Sequence, residues 1–398
     1  TRCSRDWSSD VCSSDLMPHR RRKRPESCGC CMRCSWWSYC IGPGLLLLGS
    51  LLLCLYLLSF LSTSYVAGPT PGVIVSLTST ARRVTKMLPI AVKSLLAQTV
   101  LPAEIRVYLP IEDRGTIERA LRDSIFLREW LRHPLVKLYF VKDLGPGTKF
   151  IYVINEFVIR LRREYSEELA KQLLIIVDDD QWYSPTLVES FIVRNRLYPD
   201  VAIGDRGWRI RPDLVWGVTL QELQWHVILS FDIAEPYRVG VITANKAYLI
   251  QPRFFLNNGA HNIVNTSYGP PGAFWMDDIW LNGWLAAAGV PRYVIPTDGI
   301  TFSINEAAPS LIDSRKRQAH NIRSRRKDNN EVLDWFRYWW EPNLWYEYGG
   351  VNGPKYKPRT QLNWLRFAYL PSWLHMRFAM YLLEQFPPST KKNRWDSE

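Results

Sequence analysis

Cysteine disappears from this chain after position 54, with all eight cysteines ahead of Leu55. No disulfide can therefore brace the remainder, which must be stable on its own core in any redox compartment. Charge is missing over another stretch: between Glu26 and Arg82 the only charged residue is Arg33. No segment recurs at a fixed period, which argues against a solenoid or propeller. Aromatics are plentiful, and Trp 18, Tyr 19 and Phe 15 exclude a largely disordered chain. The 398 residues, 47% of them hydrophobic, leave room for one large domain or two ordinary ones.

The beginning of the chain is set apart by its wording. Residues 6–16 read DWSSDVCSSDL, one translated frame of a widely used sequencing-adapter oligonucleotide, and Met17 follows as a natural initiator. Residues 1–16 are therefore set aside as a cloning or assembly artefact, against the plainer alternative of a genuine Ser/Asp-rich leader. Residues 19–24, HRRRKR, form a basic block ahead of 41–61, which holds 21 uncharged residues including LLLLGSLLLCLYLLSFL. At about 1.5 Å per residue that run spans roughly 30 Å, the hydrocarbon thickness of a bilayer. The expectation is a single-pass type II protein with a cytosolic tail (17–40), a signal-anchor helix (41–61) and a short stem (62–71). The basic flank stays in the cytosol and sends 62–398 across, to the lumen of the Golgi or another secretory membrane. A cleaved signal peptide is the competing reading, but the run is long for one and no small-x-small site follows.

Setting Cys3 and Cys12 aside leaves Cys28, Cys30, Cys31, Cys34, Cys40 and Cys54. Cys31 and Cys34 have CxxC spacing, yet no second ligand pair follows at finger spacing, so juxtamembrane S-acylation competes with zinc. The net charge of +12 divides as −1 over 1–16, +5 over 17–61 and +8 beyond. A basic exported part suits anionic ligands or an anionic membrane surface, and nucleic acid is a poor partner behind an anchor.

Beyond residue 71, strand-like and helix-like segments alternate. GVIVSLT (72–78), EIRVYL (104–109) and VKLYFV (136–141) read as strands; 87–98, 117–131, 150–161 and 166–172 carry helical spacing. LLIIV (173–177) is a continuous apolar run, the pattern of a strand buried on both faces of a parallel sheet. Such alternation predicts an α/β domain over 72–329 with ligands beyond the carboxyl ends of its strands.

Three motifs carry chemistry. Asp178, Asp179 and Asp180 close the LLIIV run, and alternation along extended backbone sends Asp178 and Asp180 one way and Asp179 the other. Three adjacent carboxylates repel unless something positive binds, and hard cations such as Mg²⁺ or Mn²⁺ prefer oxygen ligands; a solvated acidic turn is the bland alternative. Upstream, Gly145-Pro146-Gly147-Thr148-Lys149 falls at another strand-to-helix junction, where glycine backbone, a helix N-terminus and a lysine suit phosphate. It is not a Walker A sequence, and the same residues also make an ordinary turn. Downstream, WMDDIWLNGWL (275–285) places Asp277 and Asp278 ahead of a helical pattern, as capping and dipole partners or as a general base. Gly204-Asp205-Arg206-Gly207-Trp208 and Gly269-Pro270-Pro271-Gly272 shape the same cleft or serve structure alone.

Taken in order, VSLTSTARRV, GPGTK, LLIIVDDDQWYSP and WMDDIWL in a type II protein resemble the GT-A-fold glycosyltransferases, which use a nucleotide-sugar donor. The resemblance covers about 72–303 and implies a Rossmann-like, mostly parallel sheet flanked by helices behind one transmembrane helix. It further implies a Mn²⁺ or Mg²⁺ cofactor and a glycan, lipid or protein acceptor. By the resemblance Asp180 ligates the metal and Asp178 touches metal or ribose. Asp179 and Gly147 line the donor, Lys149 neutralises its phosphate, and the loop with Thr78, Arg82 and Arg83 holds the nucleotide. Asp278, with Asp277 beside it, matches the acidic base of inverting members, and His320 stands where a late histidine completes metal coordination. Two other classes remain: a catalytically silent relative that recognises or organises glycans, and a metal-dependent phosphohydrolase. Intact aspartates weigh against the first, and Gln181-Trp182 after the triplet departs from the usual nucleophile strand of the second.

Residues 330–398 are rich in tryptophan, with Trp335, Trp339, Trp340, Trp345, Trp364, Trp373 and Trp395. Helical apolar spacing over 364–386 fits a helix on the membrane interface, a sugar-stacking surface or packing against the α/β core. Asn265-Thr266-Ser267 is an N-glycosylation sequon.

Overall fold

A computed structural model describes residues 67–123, 132–211, 213–216, 227–256, 265–304 and 322–340. All of them belong to the compact unit Ser59–Glu398. The expected cytosolic tail with its cysteines, the run 41–61, His320 and residues 341–398 lie outside the described residues.

The first half alternates as its apolar pattern predicts: β1 (Ala67–Thr78), α1 (Leu88–Leu96), β2 (Val100–Pro110), α2 (Arg114–Asp123), β3 (Val136–Val141), α3 (Thr148–Arg163), α4 (Glu167–Ala170) and β4 (Leu173–Ile176). Pro89 sits in the first turn of α1, where a missing N–H costs nothing. Phe150, Ile151, Val153, Ile154, Phe157, Val158 and Leu161 recur at three- and four-residue steps, and that face of α3 is buried. Ser166 caps α4 by accepting the Leu169 N–H.

Shorter elements follow: β5 (Gln181–Trp182), α5 (Leu187–Leu197), β6 (Ala202–Gly204), β7 (Arg206–Trp208), β8 (Val227–Leu229), β9 (Tyr237–Arg238), β10 (Val241–Ile242), β11 (Tyr248–Ile250), α6 (Asp277–Ala287), β12 (Arg292–Val294), β13 (Phe302–Ser303) and α7 (Ile322–Trp335). Eight strands form the main sheet in the order β3-β2-β1-β4-β11-β6-β12-β9, beside a three-stranded sheet β10-β7-β8 and the pair β13-β5.

The main sheet is mixed. β3, β2, β1 and β4 run parallel, as do β6 and β12, but β11 lies antiparallel to both β4 and β6, and β9 to β12. The expected architecture, a mostly parallel Rossmann-like sheet behind a transmembrane helix, is therefore corrected. Its central neighbour to β4 points the other way, and among the described residues no helix is long and apolar enough to cross a membrane. The LLIIV pattern reports burial on both faces, and burial carries no information about strand direction.

Alternation divides the core between those two faces. Ile74, Leu174, Ile176, Tyr248 and Ile250 pack with α3 and α6 on one side. Val73, Val75, Leu77, Ile175, Val177 and Leu249 pack with α1 and α5 on the other. Helix α7 runs across the expected boundary at 329/330, and Val332, Leu333, Phe336 and Trp340 join the first face. Phe336 meets Trp280 of α6 edge-on at 5.1 Å between ring centroids. It lies so close that a Cβ on Gly283 would stand 2.2 Å from its ring. The described start of the tryptophan-rich segment thus packs on the α/β core.

One sheet edge collects the ends that matter. β1 and β4 finish there, with Ser76 opposite Ile176. β6 finishes there too, with Gly204 opposite Tyr248. Because β11 runs against them, its beginning arrives at the same edge, bringing Lys246 and Tyr248 beside the triplet.

Candidate active site

The triplet leaves β4 in a fixed frame. The Val177 N–H still donates to the Ser76 carbonyl at 3.0 Å, extending the β1 pairing by one residue. The Tyr183 phenol then clamps Asp178, accepting its N–H at 2.8 Å and donating to its carbonyl at 2.7 Å. The Asp180 carbonyl accepts the Ile304 N–H at 2.9 Å, tying the far end of the triplet to the β13 segment.

Each carboxylate faces a different partner. Asp179 is buried: its Oδ2 accepts the Ser79 hydroxyl at 2.5 Å and its Oδ1 the Arg83 guanidinium at 2.6 Å. Arg83 also reaches Asp180 Oδ2 at 3.1 Å, and Gln181 Nε2 donates to Asp180 Oδ1 at 2.9 Å. Asp178 Oδ1 accepts from Lys149 Nζ at 2.7 Å. Alternation therefore separates Asp178 from Asp179 as expected, but Arg83 draws Asp180 toward Asp179.

Lys149 joins the motifs that sequence placed apart. From the first turn of α3 its ammonium lies 2.7 Å from Asp178 Oδ1 and 2.7 Å from Asp277 Oδ2 on α6. Only the Asp178 contact is aligned as a hydrogen bond; Asp277 Oδ2 is short but misaligned, so its attraction is Coulombic. Burial alone would lower the lysine's pKa, but Asp178, Asp277 and Asp278 together outweigh it and hold it well above its ordinary value. The GPGTK turn itself is closely packed. Gly145 has φ +76 and its missing Cβ would sit 2.4 Å from the Phe274 carbonyl oxygen, while a Cβ on Gly147 would sit 3.1 Å from Ile151. These glycines allow close approach to the turn Pro271–Phe274 and to α3, and Lys149 supplies the charge. Thr266, middle residue of the sequon, is buried against Leu144 of this turn, and Asn265 accepts the Ser267 N–H at 2.9 Å.

Asp277 and Asp278 open α6, where carboxylates favour the positive helix end. Neither is the cap residue, a position Met276 takes without a side-chain bond. Asp278 Oδ1 accepts the Ala244 N–H at 3.2 Å, and Asn282 anchors the turn by donating to the Asp278 carbonyl at 2.7 Å. Burial, then Asp277, push the Asp278 carboxyl up to about 8, against the opposing pull of Lys149. Burial, against Arg83, likewise pushes Asp179 up to about 6.

Of the other expected residues, Thr78 donates its hydroxyl to the Tyr108 carbonyl at 3.0 Å, Arg82 is exposed, and His320 lies outside the described residues. Asp205 does not pair with its neighbour Arg206; it is buried against Arg194 at 2.7 Å. Arg206 lies instead over the Trp208 ring at 5.1 Å, within the field of Asp278 and Asp178. Lys246, which no motif marked, donates to Thr301 O at 2.6 Å and Gln181 Oε1 at 3.2 Å. Burial, then Arg206, lower it to about 8. It stands in a turn whose Ala247 takes φ 88, a conformation with no sequence signal when the residue is alanine.

No three His, Cys, Asp or Glu side chains among the described residues converge as a ready-made metal site. The donor chemistry nonetheless fits a hard dication in part. Asp178 and Asp180 keep 27% and 18% of their side-chain surface exposed, and Mg²⁺ typically combines one or two carboxylates with substrate phosphates. An open groove of about 560 Å³ lies elsewhere, between Asp213–Val215 and α7, and includes none of these carboxylates. The site is thus defined by its charges and not by cavity size.

No protein-family model matches the chain, and a search of curated proteins finds no match.

Proposed function

We propose that this protein is a glycosyltransferase that moves a sugar from a nucleoside-diphosphate sugar to an acceptor hydroxyl with inversion at the anomeric carbon. The observation that carries the reading is the Lys149 bridge between Asp178 and Asp277, which gathers a phosphate-type turn, an acidic strand end and a paired-acid helix start into one charged cluster.

The residues divide the work by position. Asp178 and Asp180 would hold Mn²⁺ or Mg²⁺, which when bound neutralises diphosphate charge. Lys149, pre-oriented and fully charged, stabilises the negative charge that grows on the departing diphosphate. Arg83 and Ser79 fix Asp179, and through Arg83 also Asp180, so the acidic edge needs no rearrangement. Asp278, with its carboxyl titrating near 8, accepts the acceptor's proton as the hydroxyl attacks from the face opposite the diphosphate; a base with a pKa near working pH suits that transfer.

A thermal-shift screen of nucleotide sugars with and without Mn²⁺ or Mg²⁺, followed by NMR of the product's anomeric proton, tests the reading. Stabilisation by one nucleotide class and a product of inverted configuration are expected. Absence of nucleotide binding under every condition sinks it.

A further inference from the structure

Arg206 is a guanidinium without an obvious task. Its backbone is held in β7 by Leu229 of β8 and by the Thr243 N–H, which donates to its carbonyl at 3.1 Å. The next residue after Thr243, Ala244, binds Asp278, so Arg206 flanks the base through a single turn of chain. Its side chain has no hydrogen-bond or ion-pair partner among the described residues. It lies instead over the Trp208 ring at 5.1 Å, and Trp208 leans on Trp216 at 5.0 Å between centroids. Both tryptophans are half-buried and pack against the core. The Trp216 N–H is fixed by Asn330 Oδ1 at 2.7 Å, which seats this shelf against α7. Burial pushes the arginine down from its ordinary value, with Asp278 and, less, Asp178 offsetting part of that and Arg325 adding to it. A half-buried cation kept beside another cation is costly unless an anion arrives.

We propose that Arg206, Trp208 and Trp216 form the acceptor subsite beside Asp278, and that the acceptor sugar held there carries an acidic group. The inference rests on the transferase reading for the word acceptor, but the binding itself does not. Aromatic faces stack on the apolar faces of sugar rings and leave their hydroxyls free. The guanidinium fork matches a carboxylate or phosphate bidentately and gains strength in a partly desolvated wall. The ion pairs to the triplet are made by Lys149 and Arg83 and leave Arg206 unengaged, so an anion at Arg206 competes with none of them.

The test is calorimetry on the full chain, without donor, using disaccharides of matched size ending in glucose, glucuronic acid or glucose 6-phosphate. Wild type should favour one acidic probe over the neutral one by at least about tenfold, and the better of the two names the group. Arg206→Gln should compress that preference to below about threefold, Arg206→Lys should restore part of it, and Trp208→Ala should weaken all three probes alike. Equal affinity for the three probes in wild type overturns the proposal, as does a preference that survives Arg206→Gln. A loss of UDP or GDP binding in Arg206→Gln, with the sugar preference intact, overturns it too and assigns the arginine to the diphosphate. If wild type prefers acidic sugars but binds no nucleotide sugar, the transferase reading falls and the glycan site stands. If it consumes nucleotide sugar without acidic preference, this inference alone falls.

Discussion

Replacing Lys149 by methionine removes a cation held against both Asp178 and Asp277 while keeping most of the side chain's volume. Its side chain is only 4% exposed and that of Asp277 11%, so water screens little of the loss; Asp178, at 27%, recovers part of its hydration. Breaking a buried ion pair by removing one partner costs about 3–5 kcal/mol. The lower end applies here because of Asp178, and about 3 kcal/mol corresponds to a Tm lowered by roughly 4 °C in the unit Ser59–Glu398. The pH dependence separates this account from simple loss of packing. In wild type the lysine's pKa is raised well above its ordinary value. Its contribution is fully present below the unfolded lysine pKa of about 10.4 and is lost only as pH rises through the still higher folded value. Between pH 5 and 8 it is constant. In the variant Asp278 loses the Lys149 charge that opposes the rise of its carboxyl and its ionised form becomes costlier, so the gap in Tm should be widest at pH 8 and narrow toward pH 5. Asp277→Asn in the Lys149→Met background should recover part of the loss, a coupling a double-mutant cycle reads directly. Thermal unfolding followed by circular dichroism is sufficient. A variant within about 2 °C of wild type at pH 8, or a gap that ignores pH, would refute the bridge as an energetic unit.

Asp278→Asn should cut transfer by about 10²–10⁴-fold while sparing nucleotide binding, measured by product formation beside calorimetry. With its carboxyl near 8, kcat/KM in wild type should climb about tenfold per pH unit below that value and level above it; a flat profile from pH 6 to 8 removes Asp278 from the role of base. The same raised pKa destabilises the fold progressively from about pH 4 up to the folded value, so Asp278→Asn should raise Tm at pH 8 and leave it unchanged near pH 4. Gly145→Ala, which needs φ +76 and puts a Cβ 2.4 Å from a backbone oxygen, should cost more than about 1 kcal/mol in urea unfolding; a neutral result means that the turn is not as closely packed as described.

The first half of the fold was legible because local pattern and local structure coincide there. The strand predicted at 136–141 is β3 to the residue, and the helix predicted over 150–161 is the buried face of α3. The triplet, Lys149 and the paired acids of α6 were legible as charged residues at element ends, and the cleft brings all of them together. Strand direction was not. A four-residue run such as Leu173–Ile176 looks the same whether its neighbour runs with it or against it, and only the pairing with β11 decides. Lys246 and Tyr248 were missed for that reason: they reach the cleft because β11 is reversed, at the start of a strand whose apolar letters carry no hint of a site. Asp205 and Arg206, left open between a site and a structural role, divide the two: adjacent residues on extended backbone face opposite ways, and Asp205 meets Arg194 while Arg206 lies over Trp208.

A consequence follows from how thoroughly this cleft answers its own charges. Near neutral pH, with Asp278 mostly protonated, the four carboxylates of Asp178, Asp179, Asp180 and Asp277 stand among four cations, Lys149, Arg83, Lys246 and Arg206, the last without an ion pair of its own. Such a balance casts almost no field into the surrounding water, so the cleft cannot reach out for an anionic molecule. Recruitment falls to the surplus of basic side chains spread over the rest of the unit, and encounter should slow with added salt even where the final grip, made among desolvated groups, does not.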